Sequence, residues 1–416
     1  MTATTHLTRT RQVLLQMEPT LGTPIDFGQS GVPARVVADA EEMAMRSSRG
    51  EFERGGVPGS LTNRTQRVGA SPQEVHLTKP MSDVPANAPQ WYDMIRAMGF
   101  APYVVNTIDT DGFSPAPPAV GATIGNNATL SSATKTARVA HVEGSRVYYV
   151  TLTGAPFADA DTLFDDAGVQ NQAAVSAGQT EQSAGFQFRP VTEREGQTPD
   201  SLTAEYRIGG QRHTVGGARG RGEIRLNADQ PAMLRGEFRG AFIDDGSGAP
   251  RAGDLVLPSD MPAIVDAPVI KAVPFVLTSS QGSHVPVVAS CTINLNNTLE
   301  DRRTAATDTT ASIAAQGFQP PAITAREITV SIDPEHDPGA LNVVSLANSE
   351  TTIELLARIG SLTGTSGLLV VRAPALQILG DISDSDRNGI ATDSLTLTAV
   401  GTDDDELEIT HIVAPA

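Results

Sequence analysis

Residues 217–242 read Gly-Ala-Arg-Gly-Arg-Gly-Glu-Ile-Arg-Leu-Asn-Ala-Asp-Gln-Pro-Ala-Met-Leu-Arg-Gly-Glu-Phe-Arg-Gly-Ala-Phe. Ile224 and Leu226 alternate with Glu223, Arg225 and Asn227. Past Asn227–Pro231, Leu234, Phe238 and Phe242 fall on one parity with Gly236 and Gly240 between them, while Met233, Arg235, Glu237 and Arg239 take the other. A period of two on both sides of an Asn/Asp/Pro turn predicts a long β-hairpin with one buried and one wet face. The wet face is too charged to be core. It meets solvent or a charged partner.

The rest of the chain is organised for strands of the same kind. Over 416 residues, aromatics make up only 4%, while there are 38 glycines and 28 prolines, which favours short strands joined by turns over helical bundles. A formal net charge of −18 excludes a sequence-reading nucleic-acid binder and docking on anionic membranes, both of which need a basic face. The single cysteine, Cys291, rules out an intrachain disulfide framework and reads as a small buried residue in a strand. No stretch is apolar over the eighteen or so residues that a spanning helix needs. The N-terminus has no apolar core of a signal peptide, so synthesis in a cytoplasm without export by that route is expected.

Taken in order, Gln12–Gln16 is a strand. Residues 18–72 read as an extended arm, with a helical turn or two at Ala38–Arg46. Glu74–Lys79 is a strand, and Ala88–Phe100 a helix with Trp91, Ile95 and Met98 on one face, Asn87 as cap and Gly99 as stop. Residues 109–135 are loop, Arg138–Val142 and Arg146–Thr153 a hairpin, and 158–200 a low-order connection. A domain boundary is placed near residue 200, separating a first half (1–200) from a second (201–416).

The second half opens with a hairpin from Ser201–Ile208 to Gln211–Val215. After the long hairpin, 244–270 is loop. Strands follow at Val273–Thr278 and His284–Leu295, a polar segment at Asn296–Pro321, and a strand at Arg326–Ile332. Ser349–Ile359 reads as a second helix, with Ile353, Leu356 and Ile359 inward. Strands at Leu368–Arg372, Ala375–Leu379, Ser394–Val400 and Leu407–Val413 close the chain. Glu74-Val-His-Leu matches Glu327-Ile-Thr-Val, and Trp91–Gly99 matches Thr352–Gly360, each strand preceding its helix. The shared order suggests an internal duplication. The fold class expected is thus mainly β, a β-sandwich with long hairpins and two short helices.

No motif for a nucleotide, a catalytic zinc or a nucleophilic serine is present. Asp384-Ser-Asp386-Arg-Asn388-Gly389 matches the first positions of a calcium loop, but Leu395 stands where a bidentate Glu is required, so a polar hairpin turn is the preferred reading. Gly216–Gly222 reads as a turn entering the hairpin rather than a phosphate loop. No catalytic residue, metal or cofactor is assigned.

Three segments in order resemble tail tube (major tail) proteins of long-tailed phages. Met17-Glu18-Pro-Thr-Leu-Gly22-Thr23 resembles their start, and Gly217–Phe242 with its acidic Gly/Pro sequel resembles their second half. Ala289-Ser-Cys291-Thr-Ile-Asn-Leu-Asn-Asn-Thr-Leu-Glu-Asp-Arg302 resembles the strand that follows. These pieces cover about a third of the chain, and the arm at 18–72 fits no part of that pattern. The resemblance implies a structural virion subunit, made in a host cytoplasm, whose hairpins pair with neighbours to close a barrel and whose rings stack into a DNA-conducting tail channel. Its partners would be other copies of itself, as a trimer of duplicated subunits or a hexamer, together with tape-measure, terminator and baseplate proteins. Genomic DNA would pass without specific binding. The wall residues so implied are Ile224, Arg225, Leu226, Leu234, Arg235, Glu237, Phe238, Arg239 and Phe242. The alternatives are another tail ring component (adaptor, terminator or baseplate ring) and, from a different class, a β-sandwich adhesin or carbohydrate binder, which the scarcity of stacking aromatics disfavours. A β-rich hydrolase is a third class, with no constellation to support it.

Overall fold

A computed structural model describes residues 11–25, 27, 36–37, 45–49, 66–76 and 88–414, the last with breaks of which the longer are 166–172, 192–197, 244–250, 253–274, 304–317 and 363–366. The fold is mainly antiparallel β with two short helices, as expected.

The chain opens with β1 (Arg11–Met17), β2 (Val36–Val37), β3 (Met45–Arg49) and β4 (Gln66–His76), then α1 (Tyr92–Ala97). Next come β5 (Phe100–Asp109), β6 (Thr123–Gly125), β7 (Thr136–Glu143), β8 (Arg146–Thr153), β9 (Thr162–Asp165), β10 (Ala173–Ala174) and β11 (Gln182–Pro190). The middle holds β12 (Leu202–Ile208), β13 (Gln211–Arg225), β14 (Met233–Ile243), β15 (Arg251–Ala252), β16 (Phe275–Ser279), β17 (Gly282–His284), β18 (Val288–Arg303) and β19 (Phe318–Pro334). After α2 (Val343–Asn348) the chain ends in β20 (Ile353–Gly360), β21 (Leu368–Ile378), β22 (Ser383–Arg387), β23 (Ile390–Ala399) and β24 (Glu408–Ile412).

The long strands form one antiparallel run in the order β3–β4–β14–β13–β18–β19. Its inner face packs against a second layer ordered β5–β11–β24–β21–β20. Ile224, Leu234, Phe238, Ile293 and Val330 from the first layer share one apolar cluster with Phe188, Leu355, Leu369 and Ile409 from the second. Helix α1 fills this interior, with Trp91, Met94, Ile95 and Met98 all buried and the Trp91 and Phe188 rings 4.9 Å apart. A smaller cluster around Ile108, Val139, Val147 and Tyr149 lies under β6–β9. Strands from either side of residue 200 pair repeatedly, as β1 with β12, β4 with β14 and β11 with β24.

Several sequence expectations need correction. The segment read as a second helix, Ser349–Ile359, is mostly β20. Its buried set is Ile353, Leu355, Ala357 and Ile359, a period of two, and Leu356 lies on the other face, partly buried against a separate cluster that includes Val105, Tyr148 and Val370. The helix lies earlier, at α2, where the Asn342 side chain caps the Ser345 amide at 2.9 Å. The match of Trp91–Gly99 to Thr352–Gly360 therefore pairs a helix with a strand, although strand–helix–strand does recur as β4–α1–β5 and β19–α2–β20.

The two ends of Asn296–Pro321 are strand, β18 running on to Arg303 and β19 starting at Phe318, while 304–317 lie outside the described residues. The connection 158–200 contains β11, which sits between β5 and β24. The arm 18–72 contains β2 and β3 and the start of β4; Met45 and Arg46 are in β3, and the rest of the expected helical turn lies outside the described residues. Gly216–Gly222 lies inside continuous β13 rather than in a turn, with a bulge between Gly216 and Arg219 where Gly217 stands at φ 61°.

Candidate functional site

The hairpin β13–β14 has the two faces its periodicity demands. Ile224, Leu226, Leu234 and Phe238 are at most 1% exposed. Arg225, Arg235, Glu237 and Arg239 lie half-exposed on the opposite side. Phe242 continues β14 opposite Val215, and its side chain lies outside the described residues. Small residues allow the close packing beneath. A Cβ at Gly222 or Gly236 would stand under 3.0 Å from the Met98 methyl group, and one at Gly220 would strike the Phe238 ring. Helix α1 thus rests directly on the backbone of the hairpin.

Cross-strand register pairs the charges of the wet face. Arg221 lies opposite Glu237, and Glu223 sits between Arg235 on β14 and Asn294 on β18. Arg221 Nη2 is 2.8 Å from Glu237 Oε2, Arg225 Nη2 is 2.5 Å from Glu223 Oε1, and Arg235 Nη1 lies 3.5 Å from that same oxygen. Asn294 and Asn296 extend the polar surface, each donating to Thr329 Oγ1. Arg239, Arg221, Glu237, Asn296, Thr298 and Glu327 line a groove where the two hairpins begin to part. With Arg221, Arg225, Arg235 and Arg239 set among Glu223 and Glu237, the face is of mixed charge, and the overall −18 is not concentrated on it.

The parting is anchored by a residue that the sequence reading passed over. Strand β13 pairs with β12 over its first half and with β18 only from Gly222 to Arg225. At the switch sits Arg219, fully buried. Its guanidinium donates to the carbonyls of Pro321 (2.9 Å), Asp200 (3.3 Å) and Pro199. Nearby, Asn297 Nδ2 bridges the carbonyls of Met98 (2.7 Å) and Gly220 (3.0 Å). A branching sheet leaves carbonyls without ladder partners, and a forked cation is suited to satisfy several at once.

Two strand edges bound this wall. Among the described residues β3 pairs with β4 alone, and Ala322–Ile328 of β19 pair only with β18. Open edges of this kind invite pairing with another chain.

Cys291 is buried, and burial followed by the charge of Asp333 pushes its thiol up to about 12, which keeps it protonated and unreactive. Among the described residues no group of three or more His, Cys, Asp or Glu is placed to hold a metal. Asp384–Gly389 is the tip of hairpin β22–β23, with Asn388 and Gly389 at φ 55° and 88° and Asp386 Oδ1 accepting the Gly389 amide at 2.9 Å. This is the polar hairpin turn preferred from the sequence.

Comparison with known proteins places the chain in no group: no family model matches it, and no curated protein matches it at a significant level.

Proposed function

We propose that this chain is a structural subunit of a DNA-conducting tube, of the kind that forms the tail of long-tailed phages. The observation that carries the reading is the run β3–β4–β14–β13–β18–β19. It is antiparallel throughout; β13, β14, β18 and β19 pack on the sandwich with one face and are polar or charged on the other, and among the described residues β3 and the Ala322–Ile328 part of β19 pair with no further strand. Pairing one copy's edge with the next copy's edge is a head-to-tail contact, which yields a ring if the rotation closes. Closure removes the edges and turns the charged faces toward a water-filled lumen. Arg–Glu pairing suits a channel wall for DNA, because Arg221 is held by Glu237, and Arg225 and Arg235 by Glu223, which weakens the hold of these cations on a phosphate.

Electron microscopy of the purified chain tests the reading. Rings or tubes with a central hole are expected. A particle that stays strictly monomeric at high concentration sinks it.

A further inference from the structure

Only three of the chain's 30 Lys and Arg residues are lysines: Lys79, Lys135 and Lys271. Lys135 meets a carboxylate in the small lobe around β6–β9. Lys135 and Asp161 each stand one residue before a strand, β7 and β9 respectively. Both strands pair with β6, one on each side, so that Gly125 lies opposite Thr136 and opposite Phe164. Lys135 Nζ is 2.6 Å from Asp161 Oδ2, and the two side chains are 21% and 18% exposed. Both partners are held in place. Asn126 Oδ1 accepts the amides of Thr134 and Lys135 at 3.0 and 3.1 Å. Asp161 Oδ2 also accepts the Ala158 amide at 2.8 Å, while the Asp161 carbonyl accepts the Val175 amide at 2.9 Å.

Two further groups complete the cluster. Tyr149, buried with its ring 5.2 Å from that of Phe157, donates its hydroxyl to Glu181 Oε2 at 2.6 Å. Burial pushes the Glu181 carboxyl up, against the opposing pull of the Tyr149 hydrogen bond and of the Lys135 charge. Glu181 is thereby biased toward its protonated form beside the ion pair. As a plain ion pair, arginine would serve Asp161 better, through two parallel hydrogen bonds. Lysine offers what arginine does not, an amine that becomes a nucleophile once it loses its proton.

The geometry points to a covalent end state for this pair: an isopeptide bond between Lys135 Nζ and Asp161 Cγ, formed by the folded chain itself with Glu181 as proton carrier. In the desolvated pair the Lys135 proton passes to the Asp161 carboxylate, giving an amine and a carboxylic acid. The nitrogen lone pair adds to Cγ, and the Ala158 N–H already aimed at Oδ2 stabilises the oxyanion that forms there. Glu181 takes a proton from the nitrogen and returns its own to the hydroxyl. The C–O bond breaks, one water leaves, and Glu181 ends as it began; no oxidant or cofactor is consumed. Condensation of an amine with an acid is unfavourable in water, but partners fixed in contact reach effective molarities of roughly 10⁵–10⁸ M. The bond joins residues 26 positions apart and rivets β7 to β9 across β6. A tie within one chain does not depend on the tube reading.

Intact-mass spectrometry of the denatured full chain, followed by tryptic mapping, is the test. The expected result is a mass one water below that of the sequence, and a branched peptide joining Lys135 to Asp161 with no cleavage after Lys135. Lys135→Arg keeps the charge of the pair but has no amine to condense, and should show the full mass. Glu181→Ala should slow bond formation by roughly 10²-fold or more, with a native circular dichroism spectrum. Glu181→Gln takes its place if alanine unfolds the chain. A wild-type chain of full mass, cleaved normally after Lys135, overturns the inference. So does a water lost equally from Lys135→Arg, which would put the dehydration at another residue. A bond that forms as fast in the Glu181 variants as in wild type overturns the assignment of Glu181 as proton carrier.

Discussion

Glu18 Oε1 accepts the backbone amide of Gly217 at 2.7 Å, joining residues 199 positions apart. The same carboxylate accepts Gly22 N at 2.9 Å, Thr203 Oγ1 at 3.0 Å and Ser201 Oγ. Gly217 sits in the left-handed region at the bulge of β13, where its N–H is out of step with the ladder. One buried side chain therefore ties the end of β1, the start of β12 and the lead-in to the long hairpin. Replacing Glu18 by Ala strands these donors. A buried donor without a partner costs roughly 1–3 kcal/mol, so a loss on the order of 3–5 kcal/mol is expected. Glu18→Gln should lose less, about 1–2 kcal/mol, since one oxygen remains to accept. Urea unfolding monitored by circular dichroism measures both, and equal stability of Glu18→Ala and wild type would remove Glu18 from this role.

Arg219 is the second long-range tie. Its fork reaches carbonyls on both sides of the branch, at Pro199, Asp200 and Pro321. A lysine keeps the charge but cannot present donors in that planar arrangement. Arg219→Lys is expected to cost about 2–3 kcal/mol, as hydrogen bonds to a charged group are lost inside the fold. Limited proteolysis should then cut near residues 199–200 faster than in wild type. An unchanged cleavage rate and urea midpoint would show that the branch is held elsewhere.

Which parts of this fold were legible in the sequence follows from how local their causes are. The β13–β14 hairpin was readable because each of Ile224, Leu226, Leu234 and Phe238 shows its burial through its immediate neighbours. Strand β11 carried a signal that was missed, since Phe186 and Phe188 alternate with Gln187 and Arg189, but Ala- and Gln-rich flanks masked it. β20 was misread because Ile353, Leu356 and Ile359 happen to fall at helical spacing. Pairing with β16 and β21 overrode that local pattern. The outer parts of β18 and β19 had no readable period, as Asn296, Thr298 and Glu300 leave one face polar and Asn297 is buried by bonding to distant carbonyls. Arg219 was illegible for the same reason: its partners lie 19 to 102 positions away.

The two faces of the hairpin should respond differently to substitution. Phe238 is fully buried against the core, so Phe238→Asp places a carboxylate where nothing offers it a partner and is expected to abolish the fold and with it assembly. Arg235 and Glu237 sit on the wet face, and charge changes there should leave the subunit folded. The Arg221–Glu237 pair is about half exposed on both sides. A double-mutant cycle should give it under about 1 kcal/mol of coupling. Normal tubes from Phe238→Asp would exclude this hairpin as the wall element.

His141 makes stability depend on pH. It is 8% exposed, stacked near Tyr148 with ring centroids 5.8 Å apart, and its Nδ1 finds no hydrogen-bond partner. Burial, aided by the charge of Arg358, lowers its pKa from 6.5 to about 4. The unfolded chain takes up this proton below about pH 6.5, whereas the folded chain resists it until about pH 4. The native state is thus at full strength above pH 6.5 and weakens as pH falls through that window, by up to about 1.4 kcal/mol per pH unit. Arg146 holds the Asp109 carboxyl below its usual range through a 2.5 Å contact, which adds a smaller loss in more acid solution. Unfolding free energies from urea titrations at about pH 7 and pH 5 should therefore differ in wild type by roughly 2 kcal/mol. His141→Phe, which keeps an aromatic ring beside Tyr148 but cannot titrate, should remove most of that difference. If the variant loses stability between those pH values as steeply as wild type does, some other group carries the acid sensitivity.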